Sequence, residues 1–130
     1  NLQDYAPRLF PSLSQGQKQL VILARALVQS APVMLLDEPD SALDFLNRHM
    51  VLEKMRDTIR TENQAGLITL HDPNFAMAYC DRLILLKDGR VAAELDMGKE
   101  RLEEVRAKLS LLYGDIELLS GRGGYLMGKA

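Results

Sequence analysis

Hydrophobic positions along the chain switch repeatedly between helical and strand spacing. Leu20, Leu23, Ala24, Leu27 and Val28 recur at helical intervals, with Lys18 and Arg25 on the outer or flanking face. They predict a helix from about Gln15 to Gln29. Ser14 followed by Gln17 forms a capping-box pattern, which makes Ser14 the N-cap. Ala31-Pro32 breaks the pattern, and the apolar run Val33 to Leu36 predicts a strand buried on both faces. Two acids, Asp37 and Glu38, close that strand. Pro39 predicts an extended Glu38, with the two carboxylates on alternate sides. Asp44 caps a second helix, Phe45 to Thr61, whose apolar side is Leu46, Met50, Leu52, Met55 and Ile59.

After a turn at Asn63 to Gly66, Leu67 to Leu70 predicts a second buried strand ending at His71. Asp72 and Pro73 open a short helix to about Cys80. Leu83 to Leu86 and Val91 to Leu95 flank an Asp88-Gly89 turn and predict a hairpin. Lys99 to Tyr113 predicts a helix with Leu102, Val105, Leu109 and Leu112 inward and Gly114 as its stop. Ile116 to Leu119 and Tyr125 to Met127 predict a terminal hairpin with a loose, glycine-rich tip at 120–124. Ahead of Ser14, Pro7 and Pro11 exclude a long helix. That stretch reads as an irregular lead-in with a few buried apolar anchors among Tyr5, Leu9 and Phe10. Strand–helix–strand alternation through the middle predicts an α/β fold with a parallel sheet.

Composition narrows the functional classes. The 130 residues carry 16 basic and 18 acidic side chains, a net charge of −2, which gives no electrostatic case for nucleic acid or a charged membrane surface. A single cysteine excludes an internal disulfide and fits a reducing compartment. No apolar run approaches the roughly 18 residues that span a bilayer, and the stretch from Asn1 to Ser12 is not expected to act as a signal peptide. The chain begins at Asn1 and reaches its first strong motif by Leu13, which points to a fragment or a processed chain.

Three places carry candidate chemistry. At Ser14-Gln15-Gly16-Gln17 a helix start offers unpaired backbone N–H groups, a hydroxyl and a glycine that admits close approach, all suited to a phosphate oxygen. A plain N-cap explains the same residues. At Asp37-Glu38 one acid can support a hydrated magnesium ion, and its neighbour can orient or deprotonate an attacking water. His71, at the end of the second strand, can hydrogen-bond a terminal phosphate, although a lone loop histidine is more often a surface residue. Both apolar strands end in polar residues, so these ends are expected to face one crevice.

Taken together, these stretches resemble the ABC transporter ATPases. Leu13-Ser14-Gln15-Gly16-Gln17 is similar to their signature motif. Val33 to Glu38 is similar to the Walker B strand with its catalytic glutamate, Ser41-Ala42-Leu43-Asp44 to the D-loop, and His71 to the switch histidine. The motifs stand in the family's order and spacing, and the resemblance covers at least Leu13 to Leu95. Gln15 departs from the commoner glycine. The resemblance implies that Ser14 and Gly16 contact the γ-phosphate of ATP held by a second copy. It makes Asp37 the support of Mg2+ through water, Glu38 the general base and His71 the γ-phosphate sensor. The D-loop, Ser41, Ala42, Leu43 and Asp44, would run along the dimer interface.

Asn47, His71-Asp72-Pro73-Asn74 and Lys87-Asp88-Gly89-Arg90 further resemble importers of iron-siderophore, haem or cobalamin type. Such a protein would sit peripherally on the cytoplasmic face of the cell membrane and act with transmembrane permease subunits, with no nucleic acid involved.

No Gly-x-x-x-x-Gly-Lys-Ser/Thr stretch occurs in the chain. The resemblance therefore implies the C-terminal half of a P-loop NTPase domain of ABC type. Residues 1–96 would be the ATPase part and 97–130 a helix-and-hairpin extension. Alone it is expected not to hydrolyse ATP. In the family's fold the P-loop strand lies between the strand ending at His71 and Leu83 to Leu86. Without it the chain is expected to re-pair its strands, exchange elements with another copy, or use a separate N-terminal chain. Two other readings stay open. One is a catalytically incomplete module that lends a signature face to another ATPase. The other is a soluble ABC ATPase of DNA repair or translation.

Overall fold

A computed structural model describes residues 2–121 and 124–130. Its contacts divide the chain into two units, Asn1–His71 and Asp72–Ala130. In the first, two short 3-10 turns, Leu2–Tyr5 and Phe10–Ser12, lead into helix α1, Gln15–Val28. Strand β1, Val33–Asp37, helix α2, Phe45–Thr61, and strand β2, Ala65–Thr69, follow. β1 and β2 pair in parallel, Val33 against Ala65 through Asp37 against Thr69, as a β-α-β unit requires. The lead-in is less anchored than expected. Leu9 and Phe10 are exposed, and Leu13 at the start of α1 is the buried residue.

Leu23 of α1, Leu43, and Val51 and Met55 of α2 form the core of this unit, with Leu36 and Ile68 of the sheet partly buried against it. Two expected patterns are corrected here. β1 and β2 are not buried on both faces: Met34 is buried, whereas Val33, Leu35 and Leu67 stand exposed on the other side. Helices cover one side of this sheet only, so its apolar run satisfies one face. On α2, Val51 joins Leu52 and Met55 in the interior, while Leu46 and Met50 are exposed. Neighbouring elements, not the residues' own hydrophobicity, select the buried stripe. Val28, at the fraying end of α1, is likewise exposed.

The second unit contains α3, Pro73–Tyr79, the antiparallel pair β3, Arg82–Lys87, and β4, Arg90–Asp96, helix α4, Leu102–Tyr113, and the antiparallel pair β5, Ile116–Gly121, and β6, Gly124–Lys129. Asp88 and Gly89 both have positive φ, 50° and 71°, as the tight hairpin turn demands. Leu83, Leu85 and Leu95 from the first hairpin, Val105 and Leu109 from α4, and Ile116 and Leu118 from β5 make one core. Leu95 of β4 and Val105 of α4 are packed in that one core.

α4 starts three residues later than its apolar pattern suggested. The Asp96 carbonyl accepts the Lys99 and Glu100 N–H groups, and Glu104 accepts the Arg101 N–H, so 99–101 form a turn and a cap. Arg122 and Gly123 of the expected hairpin tip lie outside the described residues.

Among the described residues the strands form three two-stranded sheets, β1-β2, β3-β4 and β5-β6. Of the three expected outcomes, re-pairing of the strands within the chain is not seen in these sheets. Each strand keeps its nearest partner in sequence order.

Candidate functional site

Asp37, Glu38 and His71 converge at the C-terminal ends of the parallel pair β1-β2. The register sets Asp37 beside Thr69. Thr69 Oγ1 donates to Asp37 Oδ1 at 2.6 Å and accepts the Glu38 backbone N–H at 2.9 Å. His71 Nε2 and Glu38 Oε1 are 2.6 Å apart. Both side chains are open to water, 82% for His71 and 43% for Glu38, so the pair adds little stability and leaves its edges accessible.

Glu38 is not extended, contrary to what Pro39 suggested. Its φ is 43°, in the left-handed region that non-glycine residues enter at a cost of about 1–3 kcal/mol. Hydrogen bonds on either side impose the turn. Thr69 holds the Glu38 N–H, the Glu38 carbonyl accepts from Ser41 N–H at 3.2 Å, and Gln19 Nε2 donates to the Pro39 carbonyl at 3.0 Å. The two carboxylates therefore do not alternate along an extended strand. Both meet residues from the end of β2.

Buried Asp40 continues the turn. Arg48 Nε of α2 donates to its carbonyl at 3.2 Å and lies 3.6 Å from its carboxylate. Thr69, Gln19, Asp40 and Arg48 were not singled out from the sequence. Thr69 and Gln19 meet partners far away in the sequence, and Arg48 reaches Asp40 across the loop that opens α2, so no local motif marks them.

The α1 start is the capping box expected. The Gln17 side chain accepts the Ser14 N–H at 3.0 Å, and Ser14 Oγ accepts the Gln17 N–H at 3.3 Å. Gln17 is thereby committed to the cap, while the exposed Ser14 hydroxyl keeps its proton to donate. Gly16 has a reason beyond ligand access. A Cβ there would lie 3.0 Å from the Ala42 carbonyl, so glycine lets the loop 41–44 pass close to the helix tip. In that loop Ser41 is exposed and Leu43 is buried against Leu23. Asp44 caps α2: its two oxygens accept the Asn47 N–H at 2.9 Å and the Asn47 Nδ2 at 2.7 Å. These bonds from the Asn47 backbone and side chain hold the Asp44 carboxyl below its ordinary value.

Ser14, Gly16 and Gln17 share with Asp44 and Asn47 the rim of a groove of about 850 Å3 between α1 and α2. Asp37, Glu38 and His71 are not part of that lining. The structure thus presents two clusters, a serine-glycine helix tip beside the 41–44 loop, and an acid pair with a histidine at the sheet end.

Among the described residues no group of three or more His, Cys, Asp and Glu side chains forms a metal cage. The donor set at Asp37 still fits magnesium, which keeps most of its waters and takes one or two carboxylates. Thr69 occupies Oδ1, which leaves Oδ2 for that role.

This α/β arrangement of strands and helices matches solved structures of ABC ATPase nucleotide-binding domains. Over 98% of this chain, and 50% of the other, the fold matches an inward-facing ABC transporter described as of metal-chelate type, with a TM-score of 0.76 and 30% identity. Over 67% of this chain and 37% of the other it matches the dimeric ATP-binding cassette MJ0796, captured after hydrolysis with ADP and Pi, with a TM-score of 0.62 and 33% identity.

The ABC transporter family profile matches residues 1–41. An uncharacterized ABC transporter ATP-binding protein of Methanocaldococcus jannaschii is 46% identical over 94 residues, 72% of this chain and 37% of its own length. The cobalamin import ATP-binding protein BtuD of Halobacterium salinarum is 47% identical over 87 residues, 67% of this chain and 22% of its own. The hemin import ATP-binding protein HmuV of Vibrio parahaemolyticus is 37% identical over 116 residues, 82% of this chain and 45% of its own. The chain belongs to the ABC transporter ATP-binding protein family, and it spans less than half the length of these curated relatives.

Proposed function

We propose that the chain contributes the signature turn, the acid pair and the switch histidine to an ATP-hydrolysing subunit of an ABC importer for iron complexes, haem or cobalamin. The observation that carries this reading is the convergence of Asp37, Glu38 and His71 at one sheet end, with His71 2.6 Å from Glu38. The names of the relatives support the substrate class. The intact protein would work as a dimer of ATP-binding domains. It would sit peripherally on the cytoplasmic face of the membrane against permease subunits. Among the described residues no helix is long and apolar enough to cross a membrane.

In this reading Glu38 accepts a proton from the water that attacks the terminal phosphorus. One oxygen, Oε1, is engaged by His71, which leaves Oε2 to face the water. His71 holds that carboxylate in place and offers its ring to the γ-phosphate. Bound magnesium, held through water by Asp37, would neutralise charge on the phosphate oxygens. Ser14 donates its hydroxyl, and Gly16 its backbone, to the phosphate of nucleotide on the second copy, with Gln15 and Gln17 completing the turn. Ser41 to Asp44 run beside that tip and couple it to the neighbouring copy. Residues 97–130 would form an extension of the domain, and the 130-residue chain by itself, which carries no Gly-x-x-x-x-Gly-Lys-Ser/Thr stretch, would not hydrolyse ATP.

The test is Glu38→Gln in the intact protein. ATP binding should persist, steady-state turnover should fall about 100- to 10,000-fold, and the ATP-bound dimer should accumulate on a sizing column. Turnover at the wild-type rate would remove Glu38 as the base.

A further inference from the structure

We propose that Thr69 is a positioning residue for the acid pair, setting the orientation of Asp37 and the backbone turn at Glu38 with one hydroxyl. The inference rests on the proposed ATPase function and adds a residue to it. Thr69 is exposed at the last position of β2, so burial does not oblige its hydroxyl to find a protein partner. It nevertheless makes two bonds of opposite sense. It donates to Asp37 Oδ1 at 2.6 Å, a charge-assisted bond, and accepts the Glu38 N–H at 2.9 Å.

The first bond fixes which Asp37 oxygen stays open. The second helps hold Glu38 at φ 43°, the conformation in which its carboxylate meets His71 at 2.6 Å. The cross-strand register of Asp37 with Thr69 supplies the geometry, and the β-branched side chain limits the rotamers over which it is lost. Thr69 touches neither the water nor the phosphate in this scheme; it acts through Asp37 and Glu38.

Thr69→Val keeps the shape and removes both bonds, and Thr69→Ser keeps the hydroxyl. Steady-state ATP turnover of the intact protein would be measured against ATP concentration for wild type, both variants and Glu38→Gln, with melting temperatures alongside. Thr69→Val should lower kcat about 10- to 100-fold, the scale of one charge-assisted hydrogen bond, and leave KM within about threefold. Thr69→Ser should stay within about threefold of wild type. Wild-type kcat in Thr69→Val, or a rise in KM alone, overturns the proposal. So does Thr69→Ser falling as far as Thr69→Val. Should Thr69→Val melt well below wild type, Thr69→Ala is read in its place by the same criteria. If Glu38→Gln turns over as fast as wild type, the functional reading itself fails, and Thr69 with it.

Discussion

The two units solve the burial problem differently. In 72–130, two hairpins and α4 enclose a core in which Val105 is 0% exposed and Leu95 and Leu109 each 1%. In 1–71, a two-stranded sheet is packed on one side only, and Leu35 in the middle of β1 remains 75% exposed. All the phosphate-directed candidates, from Ser14 to His71, belong to this thinner unit. The enclosed unit holds its turns through structural polar bonds. Asn74 pairs with both backbone groups of Met127, and Lys108 reaches Glu100 at 2.7 Å and the Glu94 carbonyl at 2.8 Å. Polar groups in the first unit collect at a strand end, where they hold one another and keep an open side.

The largest effect that sharpens this contrast is expected in the enclosed core. Leu109→Ala should destabilise residues 72–130 by about 2–5 kcal/mol, read by denaturant melting, because its surroundings cannot collapse onto the cavity. Leu35→Ala, on the bare face of β1, should change stability of the same chain by less than about 0.5 kcal/mol. Equal losses at the two positions would erase the distinction.

A smaller effect belongs to Asn74. Its carboxamide accepts the Met127 N–H at 2.6 Å and donates to the Met127 carbonyl at 3.4 Å, tying α3 to β6. Asn74→Ala should cost about 1–2 kcal/mol. It should also speed amide exchange in β6 while leaving β1 and β2 unchanged.

The smallest effect is electrostatic. The Lys99 ammonium holds the Asp96 carboxyl below its ordinary value, and Lys108 does the same for Glu100. A carboxyl lower in the folded than in the unfolded chain contributes stability that is complete above the ordinary carboxylate range. That contribution is lost as pH falls through the folded value. The melting temperature of 72–130 should therefore decline on the acid side, and Lys108→Met should make the decline shallower. An identical acid limb in that variant would remove the pair as its cause.

Much of this was legible from local pattern. The Ser14 capping box, the bounds of α2, the Asp88-Gly89 hairpin and the inward face of α4 all follow from neighbours within a few residues, and the structure shows each. Packing decided what the pattern could not. Leu46, Met50 and Val51 are all apolar, and only contact with α1 and the sheet selects Val51. Glu38 defied the rule for residues before proline because bonds from Thr69 and Gln19, far away in sequence, outweigh a local preference. At the site, the acid pair and His71 stood out because an apolar strand runs straight into them. Thr69 gave no such signal, since a threonine at a strand end is ordinary until its partners are known.

The claim on which the functional account turns is that the serine-glycine tip of one copy completes the acid–histidine end of another. Two variants of the intact protein test it, Ser14→Arg and Glu38→Gln, each expected to be nearly inactive as a homodimer. Mixed in equal amounts and allowed to exchange partners, they should recover ATP turnover, because one of the two composite sites then carries both an intact Ser14 and an intact Glu38. A mixture no more active than either variant alone would contradict the account.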